Sequence, residues 1–254
     1  MGIIPERCHT NKKTLPLDKD YFYDPRKLTK ITAGQKRAGL VDSYRHKGMR
    51  KRLVQKIAKK GIQDKRILEA IGTLPRHFFL DKAFEEWAYQ DKPFPIGNEQ
   101  TISQPYTVAY QTALLQVEKG DKILEIGTGS GYQASILSML GAHVYTIERQ
   151  EALSLSAKKL IKELRIPRIH FYFKDGFEGL PYLAPFDKIL VTAGATQKPD
   201  ILLQQLAIGG HIVIPIGQDI QVMHRITRIA EHEFKEELFD NFKFVPFLGG
   251  IVKR

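Results

Sequence analysis

The chain has 254 residues, 43% of them hydrophobic and 26% charged, enough to bury one large core with an appendage. No apolar run approaches the roughly 20 residues of a membrane span, and the N-terminus MGIIPERCHT lacks the apolar stretch of a signal peptide, so a cytoplasmic location is expected. A single cysteine, Cys8, excludes an internal disulfide and a cysteine-based metal centre, and no metal is expected.

The net charge of +11 is unevenly spread. Residues 1–60 carry 17 Lys or Arg against 5 Asp or Glu, and the remaining 194 carry 22 against 23. A basic arm is indicated rather than a basic catalytic surface, which argues against nucleic acid as a partner.

Residues 1–40 show no sustained period of 2 or 3.6 and are broken by Pro5, Pro16, Pro25 and Gly34, so a disordered basic leader is expected there. From Asp42 the pattern changes. DSYRHKGMRKRLVQKIAKKG predicts a basic amphipathic helix, with Asp42 or Ser43 as cap and Gly61 as stop. DKRILEAIGTLP predicts a second helix between Asp64 and Pro75, and LDKAFEEWAYQ a third. The polar stretch GNEQTISQPYTVAYQ follows, running through Pro105 into another helix.

Beyond it, short apolar runs alternate with helical segments: DKILEIGTG, YQASILSMLG, HVYTIER, QEALSLSAKKLIKELR, RIHFYFKDG, FDKILVTAGA, DILLQQLAIGG and HIVIPIG. This rhythm predicts βαβ units and a doubly wound, mostly parallel α/β sheet. QVMHRITRIAEHEF and LFDNFKFVPFLGG read as further, antiparallel strands. The expected organisation is a leader over 1–40 and one domain over 41–254, its helical part spanning 41–100 and its α/β core 101–254.

ILEIGTGSGYQAS runs from a strand through Gly127, Gly129 and Gly131 into a helix, the setting in which a nucleotide-like cofactor meets the first strand-to-helix turn. The dinucleotide fingerprint G-x-G-x-x-G fails, because Tyr132 holds its last glycine position, and no P-loop lysine follows. Glu125 precedes the loop. Glu148 ends the next strand, where an acid can accept from ribose hydroxyls, and Asp175 ends the one after, placed to accept from an adenine amino group. A glycine loop and three acids suit a ligand with ribose, adenine and positive charge but no phosphate, which describes S-adenosyl-L-methionine. The same residues leave open an RNA or small-molecule methyltransferase and a non-enzymatic adenosyl-binding module.

The sequence resembles the protein-L-isoaspartate (D-aspartate) O-methyltransferases over roughly residues 41–250. The likeness rests on DSYRHKGMR, LPRHFFL, AYQDKPFPIG, QTISQPYTVA, LEIGTGSGYQA, VYTIER, KDG, VTAGA, IPIG and FVPFLGG. The resemblance implies a Rossmann-like methyltransferase that methylates the free α-carboxyl of L-isoaspartyl residues, and D-aspartyl residues as well, in damaged proteins, giving an ester that collapses to a succinimide. It implies S-adenosyl-L-methionine as cofactor, damaged proteins or peptides as partners, and Ser103 as the active-site serine. Gln100, Thr101 and Ile102 carry over to the wall between cofactor and substrate, Gly127, Thr128, Gly129, Ser130 and Gly131 to the cofactor loop, and Glu148 with Arg149 to the ribose end. Asp175 with Gly176 carries over to the adenine end. Thr101, Ser103 and Thr192 are expected to face the substrate, and a monomer is expected.

An isoaspartyl carboxylate, with a pKa of roughly 4, is already ionised at neutral pH and needs orientation rather than a general base. Ser103 has no G-x-S-x-G elbow and is read as an orienting hydroxyl that also caps the helix starting near Pro105. His77 is expected to be packed or on the surface, and Trp87, Tyr89, Phe244 and Phe247 to be core.

Overall fold

In a computed structural model the described residues are 40–253; the expected leader lies outside them, apart from Leu40. Helix α1 (Tyr44–Lys59) opens with a capping box: the Ser43 hydroxyl accepts from the His46 amide, and His46 Nδ1 accepts from the Ser43 amide. His46 fills the place usually held by Glu or Gln. Helix α2 (Lys65–Thr73) is capped by Asp64, whose carboxylate accepts from the Arg66 amide. The expected third helix is replaced by a 3-10 segment, Lys82–Trp87, which buries none of its residues. With no apolar face to bury, nothing offsets the cost of nucleating an α-helix.

Two strands that the sequence did not suggest, β1 (Phe94–Gly97) and β2 (Gln100–Ile102), form an antiparallel hairpin. Asn98 and Glu99 at its tip both have positive φ, 50° and 58°, the backbone that a tight two-residue hairpin turn requires. Helix α3 (Pro105–Leu115) follows directly.

The main sheet has seven strands in the order β5-β4-β3-β6-β7-β8-β9. Strands β3 (Lys122–Ile126), β4 (His143–Glu148), β5 (Ile169–Phe173), β6 (Phe186–Val191) and β7 (Leu206–Gly217) pair in parallel. Strands β8 (Gln221–Arg228) and β9 (Phe234–Phe242) close the sheet antiparallel. Helices α4 (Tyr132–Met139) and α5 (Glu151–Glu163) make the crossovers after β3 and β4.

Helix α6 is only Asp200–Leu203, where a helix through Gly210 was expected. The buried Gln205 ends it: its carbonyl accepts from Phe186 N, and its side chain bonds Leu180 N and the Glu178 carbonyl. Sheet pairing thus takes over the chain from Leu206. The last two expected strands exist with shifted limits, since β9 starts at Phe234, within the first of the two segments.

Side-chain alternation splits the core between the faces of the sheet. Ile123, Val144 and Leu190 pack with Leu115, Ala134 and Leu137 on one side, while Leu124, Ile147 and Ile189 pack with Leu202 and Leu203 on the other. Helices α1 and α2 share a further cluster with Val108 and Ala109 of α3 and with Tyr132 and Ile136 of α4, so the helical part is a layer laid over α3 and α4. Tyr89 is core as expected, but Trp87 is 48% exposed.

A buried polar network holds the start of that layer. Arg50 makes a two-pronged contact with Asp42, 3.0 and 2.9 Å, and also donates to the Gly72 carbonyl and the Tyr89 hydroxyl. His77 lies between Tyr89 Oη, 2.7 Å, and the Val41 carbonyl, 3.1 Å, and burial lowers its pKa to about 4, so it is a neutral packed histidine. Asp42, His46 and His77 approach one another, yet each already has hydrogen-bonding partners within the protein. Removing one partner of a buried ion pair strands the other, at a cost of about 3–5 kcal/mol. Asp42→Ala should lower the unfolding free energy by about that amount in urea titration, and Asp42→Ala with Arg50→Met should recover part of the loss.

Candidate functional site

Strand order reverses at β3: the chain adds β4 and β5 on one side, then β6 and β7 on the other. Crevices at such switch points, outside the carboxyl ends of the strands, are where open α/β sheets hold ligands. A cleft of about 820 Å³, part of it open to solvent, lies there between the ends of β3, β4 and β6.

The floor is the turn after β3. Gly127 and Thr128 N donate to the Ile147 carbonyl at 2.9 and 3.1 Å, and Gly129 N donates to Glu148 Oε2 at 2.9 Å. Gly127 has φ +97°, and a Cβ on it would collide with Thr192 Oγ1. Gly131 has φ +82°, and a Cβ there would lie 2.6 Å from Ile161 Cδ1. Only glycine allows the turn and the close packing of α4 on α5. Thr192, after β6, donates its hydroxyl to the Ile126 and Gly127 carbonyls, 2.9 and 2.8 Å, so it fastens the loop while lining the cleft.

Glu148, at the tip of β4, is 5% exposed and lines the cleft. Its Oε1 accepts from Gln150 N at 3.0 Å. Burial raises its pKa, and backbone hydrogen bonds from Gly129, Gln150 and Arg149 oppose the rise. The Arg149 guanidinium donates to the Gly250 and Gly249 carbonyls, 3.0 and 3.1 Å, drawing the C-terminal segment against the cleft.

The opposite wall is the hairpin. Gln100, Thr101, Ile102 and Ser103 all line the cleft, and Gln150 Nε2 holds the hairpin tip through the Asn98 carbonyl, 3.1 Å. Ser103 does not cap α3: the N-cap is Gln104, without a side-chain cap bond. The cap comes instead from the buried Asp91, whose Oδ1 accepts from Tyr106 N at 2.9 Å and whose Oδ2 accepts from Lys60 Nζ at 2.5 Å. A carboxylate supplied from 15 residues upstream does the work that a local serine was expected to do. The Ser103 hydroxyl forms no hydrogen bond with the described residues and stands on the border between the cleft and a second depression, shared with Thr101 and Thr192, toward Asn241, Lys243 and Phe244.

Of the fifteen residues singled out from sequence, the structure brings Ser103, Gln100, Thr101, Ile102, Gly127, Thr128, Gly129, Ser130, Glu148, Arg149, Gly176 and Thr192 to the cleft. Glu125, Gly131 and Asp175 do not line it. Gly131 supports α4 from behind. Both Asp175 oxygens are engaged, Oδ1 with Phe177 N at 2.9 Å and Oδ2 with Gly250 N at 2.5 Å.

Glu125 is wholly buried beneath the loop, because the alternation of β3 points it between the strands' side chains rather than upward. It accepts from Thr146 Oγ1 at 2.5 Å, and Thr146 Oγ1 lies 2.7 Å from Thr128 Oγ1. Its link to the cleft therefore runs through two threonines. Burial pushes its pKa up to about 8; the Thr146 hydrogen bond opposes the rise and the charge of Glu148 adds to it.

Residues not foreseen complete the site. Tyr132 and Gln133 from α4 line it, and Gln133 Oε1 is buried without a partner while Nε2 donates to Thr112 Oγ1. The segment Val245–Leu248 forms a third wall, tied by Gly194 N to the Val245 carbonyl and by Phe247 N to the Gly194 carbonyl, both 2.8 Å. Phe247, expected in the core, stacks on Phe177 with ring centroids 4.0 Å apart and lines the cleft. The motif FVPFLGG was the available signal; periodicity alone could not say that it folds back over the β4 end.

A doubly wound sheet with a glycine turn after its first parallel strand, an acid at the tip of the next, and a cleft at the switch point defines the Rossmann-like methyltransferase class. Residues 48–251 match the family model described as Protein-L-isoaspartate(D-aspartate) O-methyltransferase (PCMT), and the chain belongs to that family. The protein-L-isoaspartate O-methyltransferase of Flavobacterium psychrophilum is 55% identical over 207 residues, 82% of this chain and 97% of that protein. The one from Christiangramia forsetii is 52% identical over the same shares. A solved protein-L-isoaspartate O-methyltransferase superposes with a TM-score of 0.73 at 28% identity, covering 80% of this chain and 67% of that one. A putative one from Plasmodium falciparum, in complex with S-adenosyl-L-homocysteine, gives 0.69 at 26% identity, covering 80% and 98%.

The raised pKa of Glu125 has a direct consequence for stability. Between the ordinary carboxylate range and about pH 8 the unfolded chain releases this proton while the folded chain keeps it, so its contribution to stability is present at low pH and lost as pH rises through the folded value. Glu125→Gln, which mimics the protonated form, should melt closer to its pH 5 temperature at pH 8 than the unaltered protein does, as read by circular dichroism.

Proposed function

We propose that this protein repairs damaged polypeptides by transferring a methyl group from S-adenosyl-L-methionine to the free α-carboxylate of L-isoaspartyl residues. The observation that carries the reading is the Gln100–Ser103 wall facing the glycine loop across one cleft, with a serine hydroxyl that no other part of the described protein engages. The residues suit the cofactor. Glu148 supplies acceptor oxygens, Ile126, Ile147 and Phe247 supply apolar surface, and the buried Gln133 Oε1 lacks a hydrogen-bond donor. The Arg149 guanidinium is already committed to backbone carbonyls, which fits a ligand without phosphates.

When bound, the cofactor supplies a methyl group activated on a sulfonium. Glu148 would hold its ribose end beside the Gly127–Gly129 turn, and Gly176 with Phe247 would hold the adenine end. Asp175 acts on that end indirectly, by holding Phe177 and Gly250 in place. Ser103 donates to one oxygen of the substrate carboxylate, leaving the other oriented for attack, and Thr101 and Thr192 frame the same opening. The substrate carboxylate is ionised at neutral pH, so no residue acts as a base. Catalysis rests on holding reactants in line, which can be worth on the order of 7–11 kcal/mol. The methyl ester leaves the site and closes to a succinimide when the backbone amide nitrogen of the next residue attacks the ester carbonyl and methanol departs.

Incubation with labelled S-adenosyl-L-methionine and an isoaspartyl peptide, beside its aspartyl twin, should label only the first with base-labile methyl; label on neither peptide would overturn the reading. Ser103→Ala should lower kcat roughly 10- to 100-fold, since a hydrogen bond to a charged group is worth about 1.5–3 kcal/mol, with cofactor Kd nearly unchanged. Glu148→Ala should do the reverse, raising cofactor Kd by at least about tenfold when measured by calorimetry. Equal loss of cofactor affinity in both variants would refute this division of roles.

A further inference from the structure

The solvent face of α1 lies outside everything the methyl-transfer site uses. The helix carries seven Lys or Arg and no acidic residue in its sixteen positions. Arg50 is buried and Arg45 pairs with Glu86. Lys47, Lys51, Arg52, Lys56 and Lys59 are exposed and form no ion pair among the described residues. With 3.6 residues per turn Lys51, Arg52 and Lys59 fall on the arc opposite His46, Arg50, Leu53 and Ile57, the residues that face the core, and Lys47 and Lys56 lie on its two flanks. Tyr44 stands on the same arc, 93% exposed, with Lys47 Nζ 5.5 Å from its ring centre. None of these residues lines the cleft.

We infer that this face of α1 binds the phosphodiester backbone of a nucleic acid, although the near-neutral balance of residues 61–254 argues against nucleic acid at the cleft. The charge is segregated along the sequence: residues 61–254 carry 22 Lys or Arg against 23 Asp or Glu, while the 39 residues ahead of the described part carry 9 against 4. A helix of this length spans about 24 Å, over which duplex DNA presents a phosphate charge every ~1.7 Å. Five cations on the outer half of one rigid helix, none of them in an ion pair among the described residues, complement such a line of charge. A membrane surface fits less well, because a helix lying in the interface must insert its apolar face, and that face, Leu53 and Ile57, is buried in the protein core.

The inference is independent of the methyl-transfer reading, since it concerns residues outside the cleft and its readout is binding. The test is the affinity of the full chain for a fluorescein-labelled 20-base-pair duplex between 50 and 200 mM salt, beside vesicles containing phosphatidylserine and beside polyglutamate. Neutralising about five phosphates predicts a log–log slope near −4 to −5, a loss of roughly 500-fold across that range. The variant K47Q/K51Q/R52Q/K56Q/K59Q retains the leader, so any difference belongs to the helix. It should lose most of the slope and bind at least tenfold more weakly at 100 mM salt, with the same melting temperature and the same rate on an isoaspartyl peptide. Equal affinity and slope for the two proteins would overturn the inference, as would tighter binding of vesicles or polyglutamate than of the duplex.

Discussion

The carboxylate of Glu148 is the point on which the site depends. It receives the amide of Gly129 on one oxygen and that of Gln150 on the other, so the tip of β4, the turn after β3 and the start of α5 are fixed to one another. From Gln150 the connection continues to the hairpin tip at Asn98, and from Arg149 to the C-terminal segment at Gly249 and Gly250. Three walls that are distant in sequence are thereby fastened around two consecutive residues. Such a contact is strong because a buried acceptor that loses its donors pays the full cost of desolvation.

A second constraint acts from below. Glu125, Thr146 and Thr128 form a line of hydrogen bonds between two parallel strands and the loop above them. In a wholly buried place a carboxylate costs far more than a neutral carboxyl group, which is why this acid keeps its proton to about pH 8. Two acids close together in the chain's fold thus divide their work. Glu148 faces the cleft, and Glu125 supports the floor.

The helical layer contributes by the same logic at a longer range. Asp91, held by Lys60 from the end of α1, caps α3 at Tyr106. The serine two residues before Pro105 is thereby relieved of capping and left at the mouth of the cleft. The chemistry of an ionised carboxylate asks only for a donor and a fixed geometry, and α1, α2 and the segment around Asp91 supply the second by packing against α3 and α4.

Much of this was legible in the residues. Alternating apolar runs and helical segments gave the parallel sheet, because a strand buried on both faces must be apolar throughout its length. Glycines at 127, 129 and 131 marked the tight turn after β3, because a Cβ at the first or last would strike Thr192 or Ile161. Ser103 and Glu148 were found by their motifs. What could not be read was anything set by contacts across the chain. The segment Lys82–Trp87 lost its α-helix for want of a surface to bury against, and Gln205 cut α6 short by joining the sheet. Glu125 and Glu148 look alike on paper, and only the direction of each strand's side chains decided that one meets the cleft and the other lies beneath it. The sequence by itself determined the fold class, the glycine turn and the Gln100–Ser103 wall of the cleft, which depend on local backbone geometry and pattern. Tertiary structure alone decided which polar groups are spent on the protein and which remain for a ligand, because each hydrogen bond needs a partner from elsewhere in the chain.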